Sequence, residues 1–527
     1  MYISAPAAAT RGAAIAALLA LSLPAARAAS LYAGDGLEVR WDNTIRYSAA
    51  ARIAAPDPIM LSWPNSDDGN RNFAPGLVSS RLDLVSVLDV THDEFGIQAS
   101  LDAWYDTVYH TRTDNKSPAT YNALSVPASQ FPRATRNLDG QYADLGDTFA
   151  FGNFSIDGTP LSVRIGRQTL LWGESLFFGQ NGIAAAMAPV YAIKSIGTPD
   201  GYSRDVFLPV DQVSLTIQPS SVISLAGYYQ FEGRASRLPG VGSYFSDTDV
   251  QGAGAERAFL TGGAYLVHIA DQKPQAGGQF GFSLHAGIDE FDLGLYVLRY
   301  NDKYPILKVD SYAAPAPSGY AGTFQSIYPA GIDVYGASFS TYFEGSNVAG
   351  EISARRDMPL VSISPVSLYA AMPLHSLTDK GYAEGDTLHA QLSSVTTLSR
   401  APWWDSADLS MEVAANDLLS VTDNEAALNP GRTRFAASAR ALFKPHYFQL
   451  LPNLDAALVF GLGYNFAGRS STDYTQNAGT GDVELGISAS YLSQWKAEVT
   501  LTSFIGAPSR QSLADRDFLM VSLERTF

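Results

Sequence analysis

The chain closes with Asp517-Phe518-Leu519-Met520-Val521-Ser522-Leu523-Glu524-Arg525-Thr526-Phe527, where apolar Leu519, Val521 and Leu523 occupy every second position ahead of a terminal aromatic. A strand that separates lipid from water changes environment at each residue, and a ring at its end suits the membrane interface. The stretch therefore reads as the closing strand of a transmembrane β-barrel. Arg525 interrupts the apolar set, and an edge strand of a soluble sheet would look similar, so the rest of the chain has to decide.

At the other end, Arg11 precedes an apolar stretch (12–23) and the small residues Ala26-Arg27-Ala28. This is the layout of a secretory signal peptide cut after Ala28, with a core too short to span a bilayer as a helix. Turn-forming Gly34-Asp35-Gly36 follows instead of a stop-transfer segment. The longest uncharged stretch beyond it, 358–378, contains Pro359, Pro365 and Pro373, which excludes a lipid-exposed helix. An exported mature chain (29–527) that meets a membrane must cross it with strands.

Without Arg11 and Arg27 the chain keeps 33 basic against 52 acidic side chains, a net charge of −19, which argues against a nucleic-acid partner. It contains no cysteine, so disulfides and thiolate metal sites are excluded. The 27 Tyr, 26 Phe and 7 Trp suit interfacial girdles.

Period-two alternation recurs along the whole chain. Leu37, Val39 and Trp41 oppose Glu38, Arg40 and Asp42; Phe95, Ile97 and Ala99 oppose Gly96, Gln98 and Ser100. The pattern returns at Leu161, Val163 and Ile165, at Ile352 and Ala354 against Glu351, Ser353 and Arg355, at Leu409, Met411 and Val413, and at Leu485, Ile487 and Ala489. The expected fold is all-β: one antiparallel transmembrane barrel of the outer-membrane kind, with roughly 14 to 18 strands at ~10 residues each plus turns and loops. Stretches 65–75, 111–139, 234–257 and 302–326 are rich in turn formers and read as extracellular loops, some able to fold inward. Segment 182–193, with Ala184-Ala185-Ala186-Met187-Ala188-Pro189, reads as a loop packed on the barrel wall or a short inward helix.

Several motifs are similar to those of one bacterial family: Arg164-Ile165-Gly166-Arg167-Gln168, Leu171-Trp172-Gly173-Glu174-Ser175, Asn181-Gly182-Ile183, Phe207-Leu208-Pro209-Val210, Gly227-Tyr228-Tyr229-Gln230-Phe231-Glu232, and Gly350-Glu351-Ile352 with Arg355-Arg356-Asp357-Met358-Pro359-Leu360. Over nearly all of the mature length the chain resembles the family catalogued as domain of unknown function 1302. It departs at Arg356, where an aromatic is expected before the arginine-acid pair, and in the alanines after Asn181. The resemblance implies a Gram-negative outer-membrane protein encoded near exporters and lipid-carrier-like proteins, in pathways handling hydrophobic compounds such as steroids. It implies neither a settled substrate nor catalytic residues.

If Leu161, Val163 and Ile165 face lipid, Arg164 and Gln168 face the lumen. Arg167, Glu174, Arg204, Asp205, Glu351 and Arg355 are further candidates for its lining. Opposed charges in a narrow pore create a transverse field that selects among solutes; the same charges could instead pair along the wall and brace it. Trp172, Tyr228, Tyr229 and Phe231 could stack on a ring-shaped solute or belong to an interfacial girdle. The seven histidines lack metal-ligand spacing, and Gly486-Ile487-Ser488-Ala489-Ser490 lacks the closing glycine of a nucleophile elbow. Asp67-Asp68 and Asp247-Thr248-Asp249 lack a full calcium-loop series and read as solvated turn acids.

No catalysis, cofactor or metal is expected. The expected function is an outer-membrane porin passing small hydrophobic or amphipathic organic molecules. The alternative is a plugged barrel exporting lipid or hydrophobic compounds with an inner-membrane exporter and a lipid-carrier-like partner. Outer-membrane lipid, and insertion machinery that reads the strand ending in Phe527, are the other expected partners.

Overall fold

Period-two strands long enough to cross a bilayer must pair both edges or leave backbone groups bare in lipid, and here the sheet closes on itself. The computed structural model describes residues 29–197, 206–311, 315–364 and 380–527. The expected signal peptide, Arg204, Asp205, His375 and most of 358–378 lie outside them. The barrel has 18 antiparallel strands. In chain order they are β1 (Leu37–Arg52), β2 (Gly76–His92), β3 (Phe95–Asp106), β4 (Gln141–Ile156), β5 (Thr159–Gln168), β6 (Val210–Ser220), β7 (Ile223–Gln230), β8 (Gln279–Ile288), β9 (Phe291–Tyr300), β10 (Ile332–Phe343), β11 (Ser346–Pro359), β12 (Glu384–Leu398), β13 (Ser406–Asp423), β14 (Phe435–Leu451), β15 (Leu454–Ala467), β16 (Thr480–Tyr491), β17 (Trp495–Ile505) and β18 (Phe518–Thr526). Each pairs with its successor, and β18 returns to β1 through register partners Thr44 and Thr526, whose hydroxyls lie 3.0 Å apart.

One end of the barrel has tight turns, such as Asp157-Gly158 between β4 and β5 and Glu344-Gly345 between β10 and β11. All four of those residues have positive φ, which is why Asp, Glu and Gly stand there. The outward positions carry Ile165, Phe282, Leu295, Ile352, Val413 and Leu485, all exposed. Phe95, Phe291, Tyr342, Phe343, Phe448 and Tyr491 ring the tight-turn end, where a girdle belongs. Arg525 joins this belt, its guanidinium 5.0 Å from the Trp495 ring centroid and 5.8 Å from that of Phe527. A cation near the interface costs only about 0–1 kcal/mol, and two ring faces offset that. The residue that interrupts the apolar set therefore does not disturb the membrane wall.

At the long-loop end the connections build a cap. The expectation of irregular loops at 234–257 and 302–326 is corrected in part: Arg257–Phe259, Tyr265–His268, Tyr320–Ile327 and Ile306–Ser311 form a second, four-stranded sheet. Its Ala258, Leu266, Val309, Ala321 and Phe324 enclose a small core with Val241. Three of these strands are too short to show more than two or three alternations, and Gly322 interrupts the fourth. Phe73, Tyr109, Phe131 and Tyr244 pack beneath the cap on Ala50, Val78 and Phe518, at the loop ends of β1, β2 and β18.

Cap stability should depend on pH through Asp139, which is buried and hydrogen-bonded by the Gly240 N–H at 3.1 Å. Burial pushes its carboxyl up to about 7, against the opposing pull of that N–H and of Arg81. The folded cap thus keeps a proton that the unfolded chain releases near pH 4, so stability falls as pH rises from about 4 to 7, by ~4 kcal/mol at most. Hydrogen exchange of the 231–260 backbone should accelerate over that range. Asp139→Asn should flatten the dependence; an unchanged profile in this variant would refute it.

Candidate functional site

The connection between β5 and β6 begins at Thr169, whose N–H donates to Asp147 Oδ1 at 2.6 Å, and then runs into the lumen. Backbone inside a barrel needs partners, and the wall supplies them from two buried carboxylates and one guanidinium. Glu351 on β11 accepts the Glu174 N–H at 2.6 Å and the Ile183 N–H at 2.8 Å, with Gln391 Nε2 at 2.9 Å as a third donor. Glu412 on β13 accepts the N–H groups of Leu176, Phe177 and Phe178 at 3.0, 2.5 and 2.9 Å. Arg355 Nη2 faces the carbonyls of Gln180, Asn181 and Gly182 at 3.1, 2.9 and 2.9 Å. Acids thus take the donors of the segment and the base takes its acceptors.

Asn181 completes the clamp. Its amide nitrogen donates to the carbonyls of Ala390 and Ala415, both at 3.2 Å, leaving Oδ1 as acceptor. His389 Nδ1, 3.0 Å from that oxygen, is then the protonated nitrogen, and Nε2 accepts from Thr387 Oγ1 at 2.9 Å. Two glycines make the approach possible. A Cβ on Gly173, whose φ is +94°, would stand 2.2 Å from Glu351 Oε2, and one on Gly182 would stand 2.7 Å from Oε1, so neither position accepts a side chain without displacing the carboxylate.

The helical turn Ile183–Ala186 lies against the adjoining part of the wall, and segment 182–193 is both short helix and wall-packed loop. Ile183, Ala186 and Met187 bury against Tyr228, Tyr296, Leu298, Tyr300, Ile332 and Val334 from β7, β9 and β10. Gln230 Nε2 donates to the Met187 carbonyl at 2.6 Å, and Lys303 Nζ to the Ala186 carbonyl at 3.0 Å. Burial lowers the Lys303 ammonium to about 8.

The residues expected to line the pore have separate placements. Arg164 is inward, its guanidinium 5.4 Å from the Phe149 ring centroid. Gln168 is buried and bonds Gln212. Arg167 sits at the loop-side rim in an ion-pair network with Asp211 (3.2 Å), Glu232 (3.3 Å) and Asp144 (4.0 Å), which Arg234 and Arg237 also join. Glu174, Glu351 and Arg355 converge at the clamp. Trp172 and Tyr228 lie together inside, ring centroids 5.1 Å apart. Tyr229 and Phe231 are exposed on the outer face, as strand alternation requires once Tyr228 points inward; they stand as girdle residues and away from any lumenal solute. Glu412, Gln391, His389 and Asn416 were not singled out in the sequence. Each sits on the polar side of an alternating strand, and nothing local distinguishes a clamp acid from any other lumenal acid.

A family model described as a protein of unknown function, DUF1302, matches residues 9–527. The chain belongs to the DUF1302 family. No curated protein matches it. Solved structures similar to this DUF1302 protein include OccAB4 of Acinetobacter baumannii, at 8% identity and TM-score 0.43 over 93% of this chain and 98% of that one. Others are the outer membrane channel DcaP of the same organism (11%, 0.40, 95% and 100%) and OccK2 of Pseudomonas aeruginosa in complex with glucuronate (8%, 0.41, 93% and 98%).

In the DUF1302 barrel the remaining lumenal wall is strongly charged and largely paired. Arg440 bonds Asp482 at 2.8 Å and lies 3.5 Å from Glu484; Arg81 bonds Asp83 at 2.6 Å; Arg46 lies 3.9 Å from Glu524. Between the inward segment and strands β12 to β14 remains a cavity of about 310 Å³. Leu176, Phe177, Val395 and Leu442 give it an apolar side, and Asp408, Ser410 and Lys444 a polar one.

Proposed function

We propose that this DUF1302 protein is an outer-membrane channel passing small amphipathic or hydrophobic organic molecules by diffusion. The supporting observation is the 310 Å³ cavity, large enough for a small ring system, with Leu176, Phe177 and Leu442 facing Asp408 and Lys444. Such a surface holds an apolar body in one orientation while its polar end meets fixed charge. The clamp keeps Leu176 and Phe177 in place, so selectivity is built into the backbone of the segment and needs no moving part. On the general plan of outer-membrane barrels, the tight turns face the periplasm and the cap faces outward.

The test is conductance of the refolded mature protein in planar bilayers, with steroid carboxylates, medium-chain fatty acids and a neutral sugar added in turn. Steps blocked by the first two and indifferent to the sugar would support the proposal, and block by the sugar alone would overturn it. The cap core at Leu266 and Phe324 favours a second reading, a plugged barrel that exports hydrophobic compounds with an inner-membrane exporter and a lipid-carrier-like partner. A silent but folded barrel would favour that reading.

A further inference from the structure

The cap brings together three acids that sequence reasoning leaves as solvated turn residues. Asp67 and Asp68 flank the start of the helical turn Asp68–Arg71, in the β1–β2 loop, and Asp249 comes from the β7–β8 loop, 181 residues further on from Asp68. None is solvated, their exposures being 0%, 0% and 1%. One carboxylate oxygen from each lies within 4.8 Å of the other two.

Their oxygens divide into two sets. The Oδ2 set is occupied: that of Asp67 by the Arg71 guanidinium, that of Asp68 by the Asn122 N–H at 3.0 Å, and that of Asp249 by the Asp68 N–H at 3.0 Å. The Oδ1 set is buried, and no donor meets its three atoms in hydrogen-bond geometry, with the Thr120 hydroxyl beside Asp67 and the Asp67 N–H beside Asp249 as the nearby donors. Asn122, fully buried and held on Asp68 by its own N–H, adds another buried oxygen without a donor; its amide nitrogen goes to Asn65 Oδ1 (3.1 Å) and the Arg257 carbonyl (2.8 Å). Buried acceptors that lack donors are destabilising, and more so when charged. Several on one cluster call for a shared partner that accepts nothing and attracts oxygen.

We propose that Asp67, Asp68 and Asp249 bind a calcium ion, with Asn122 as an adjoining ligand, and that the ion ties the loops β1–β2, β3–β4 and β7–β8 into one cap. The donor set is all oxygen, which selects a hard cation over zinc or copper. Calcium takes oxygens at about 2.3–2.6 Å in irregular geometry, so ligands on opposite sides of it lie roughly 4.6–5.2 Å apart, the scale of this cluster. Magnesium, at about 2.0–2.1 Å, demands a tighter octahedron and keeps its waters. Two positive charges also balance the two acids that Arg71 does not pair.

The experiment uses the refolded mature protein in detergent, stripped with EDTA and titrated with calcium chloride by calorimetry. Limited proteolysis of the cap and the heat-dependent gel mobility of the barrel are followed in parallel. One ion per chain is expected. Protection of the cap should rise about tenfold at free calcium ten times Kd, with magnesium much weaker. The conservative variants Asp249→Asn and Asp68→Asn should each abolish binding and calcium-dependent protection while the barrel keeps its folded mobility; having two guards against one that fails to assemble. Absence of saturable binding in the wild type would overturn the site. So would calcium protection that survives in a folded variant, or variants that are more protease-resistant than the wild type without calcium, since these mean that the cluster simply holds protons.

Discussion

Glu412→Ala should raise single-channel conductance severalfold while leaving the barrel closed. Glu412 is almost completely buried and serves as the acceptor for three successive backbone N–H groups of the inward segment. Each N–H left without an acceptor costs about 1–3 kcal/mol, and Glu412 is the acceptor for all three of Leu176, Phe177 and Phe178. The segment then pays less to swing aside than to stay. The wall itself loses little, because the ladder between β13 and β14 is made by backbone, continuing through the register pair Glu412 and Arg440. Glu412→Gln should fall between: its carbonyl still accepts, but its amide group meets donors. Block by an amphipathic solute should weaken in parallel, since Leu176 and Phe177 leave the cavity. Unchanged conductance in a folded Glu412→Ala barrel would mean that the segment does not set the width of the lumen.

The second large effect concerns Arg52, at the end of β1 and 2% exposed. Its guanidinium bonds the carbonyls of Ala54 (2.8 Å), Phe73 (2.9 Å), Asn70 (3.2 Å) and Asp515 (2.8 Å), and it pairs with the Asp515 carboxylate at 2.9 Å. Asp515 in turn accepts from Asn70 Nδ2 at 2.7 and 2.6 Å and from the Asp57 N–H at 2.7 Å. Removing one partner of a buried pair costs about 3–5 kcal/mol, and here it also strands four carbonyls. Arg52→Ala should therefore speed proteolysis within 53–75 and 507–516 by roughly 10²–10³-fold, with barrel mobility on gels retained. Arg52→Lys should rescue only part of this, because an ammonium has no planar fork to reach opposed carbonyls. Equal protease resistance in wild type and Arg52→Ala would show that the cap is held elsewhere.

The wall was legible in the sequence because a strand in a membrane repeats every two residues, and Leu485, Ile487 and Ala489 state their face without any neighbour. Arg525 looked like a flaw only because Trp495, which shares its stacking, lies on the preceding strand. The same period fails for what lies inside. It says that Glu351, Arg355 and Glu412 point inward, but not that they meet backbone. Asn181, Gly182 and Gly173 stood among the motifs for reasons that appear only when Glu351 is beside them. The cap was less legible still: its short strands offer too few alternations, and Asp68 and Asp249 become neighbours only through the fold. The girdle reading of Tyr229 and Phe231 turned on one residue of parity, since moving the register by one would have turned both inward.

The seam between β1 and β18 has a consequence for synthesis. Residue 44 meets residue 526, and the N–H and carbonyl of Phe527 are both taken by Asn43, each at 2.9 Å. No nascent fragment of this chain, however long, can be a tube; it can only be a ribbon with two raw edges. A chain that stopped before Phe518 would thus lack the strand that both β1 and β17 pair with, and would be a sheet that seeks its missing edge in other molecules.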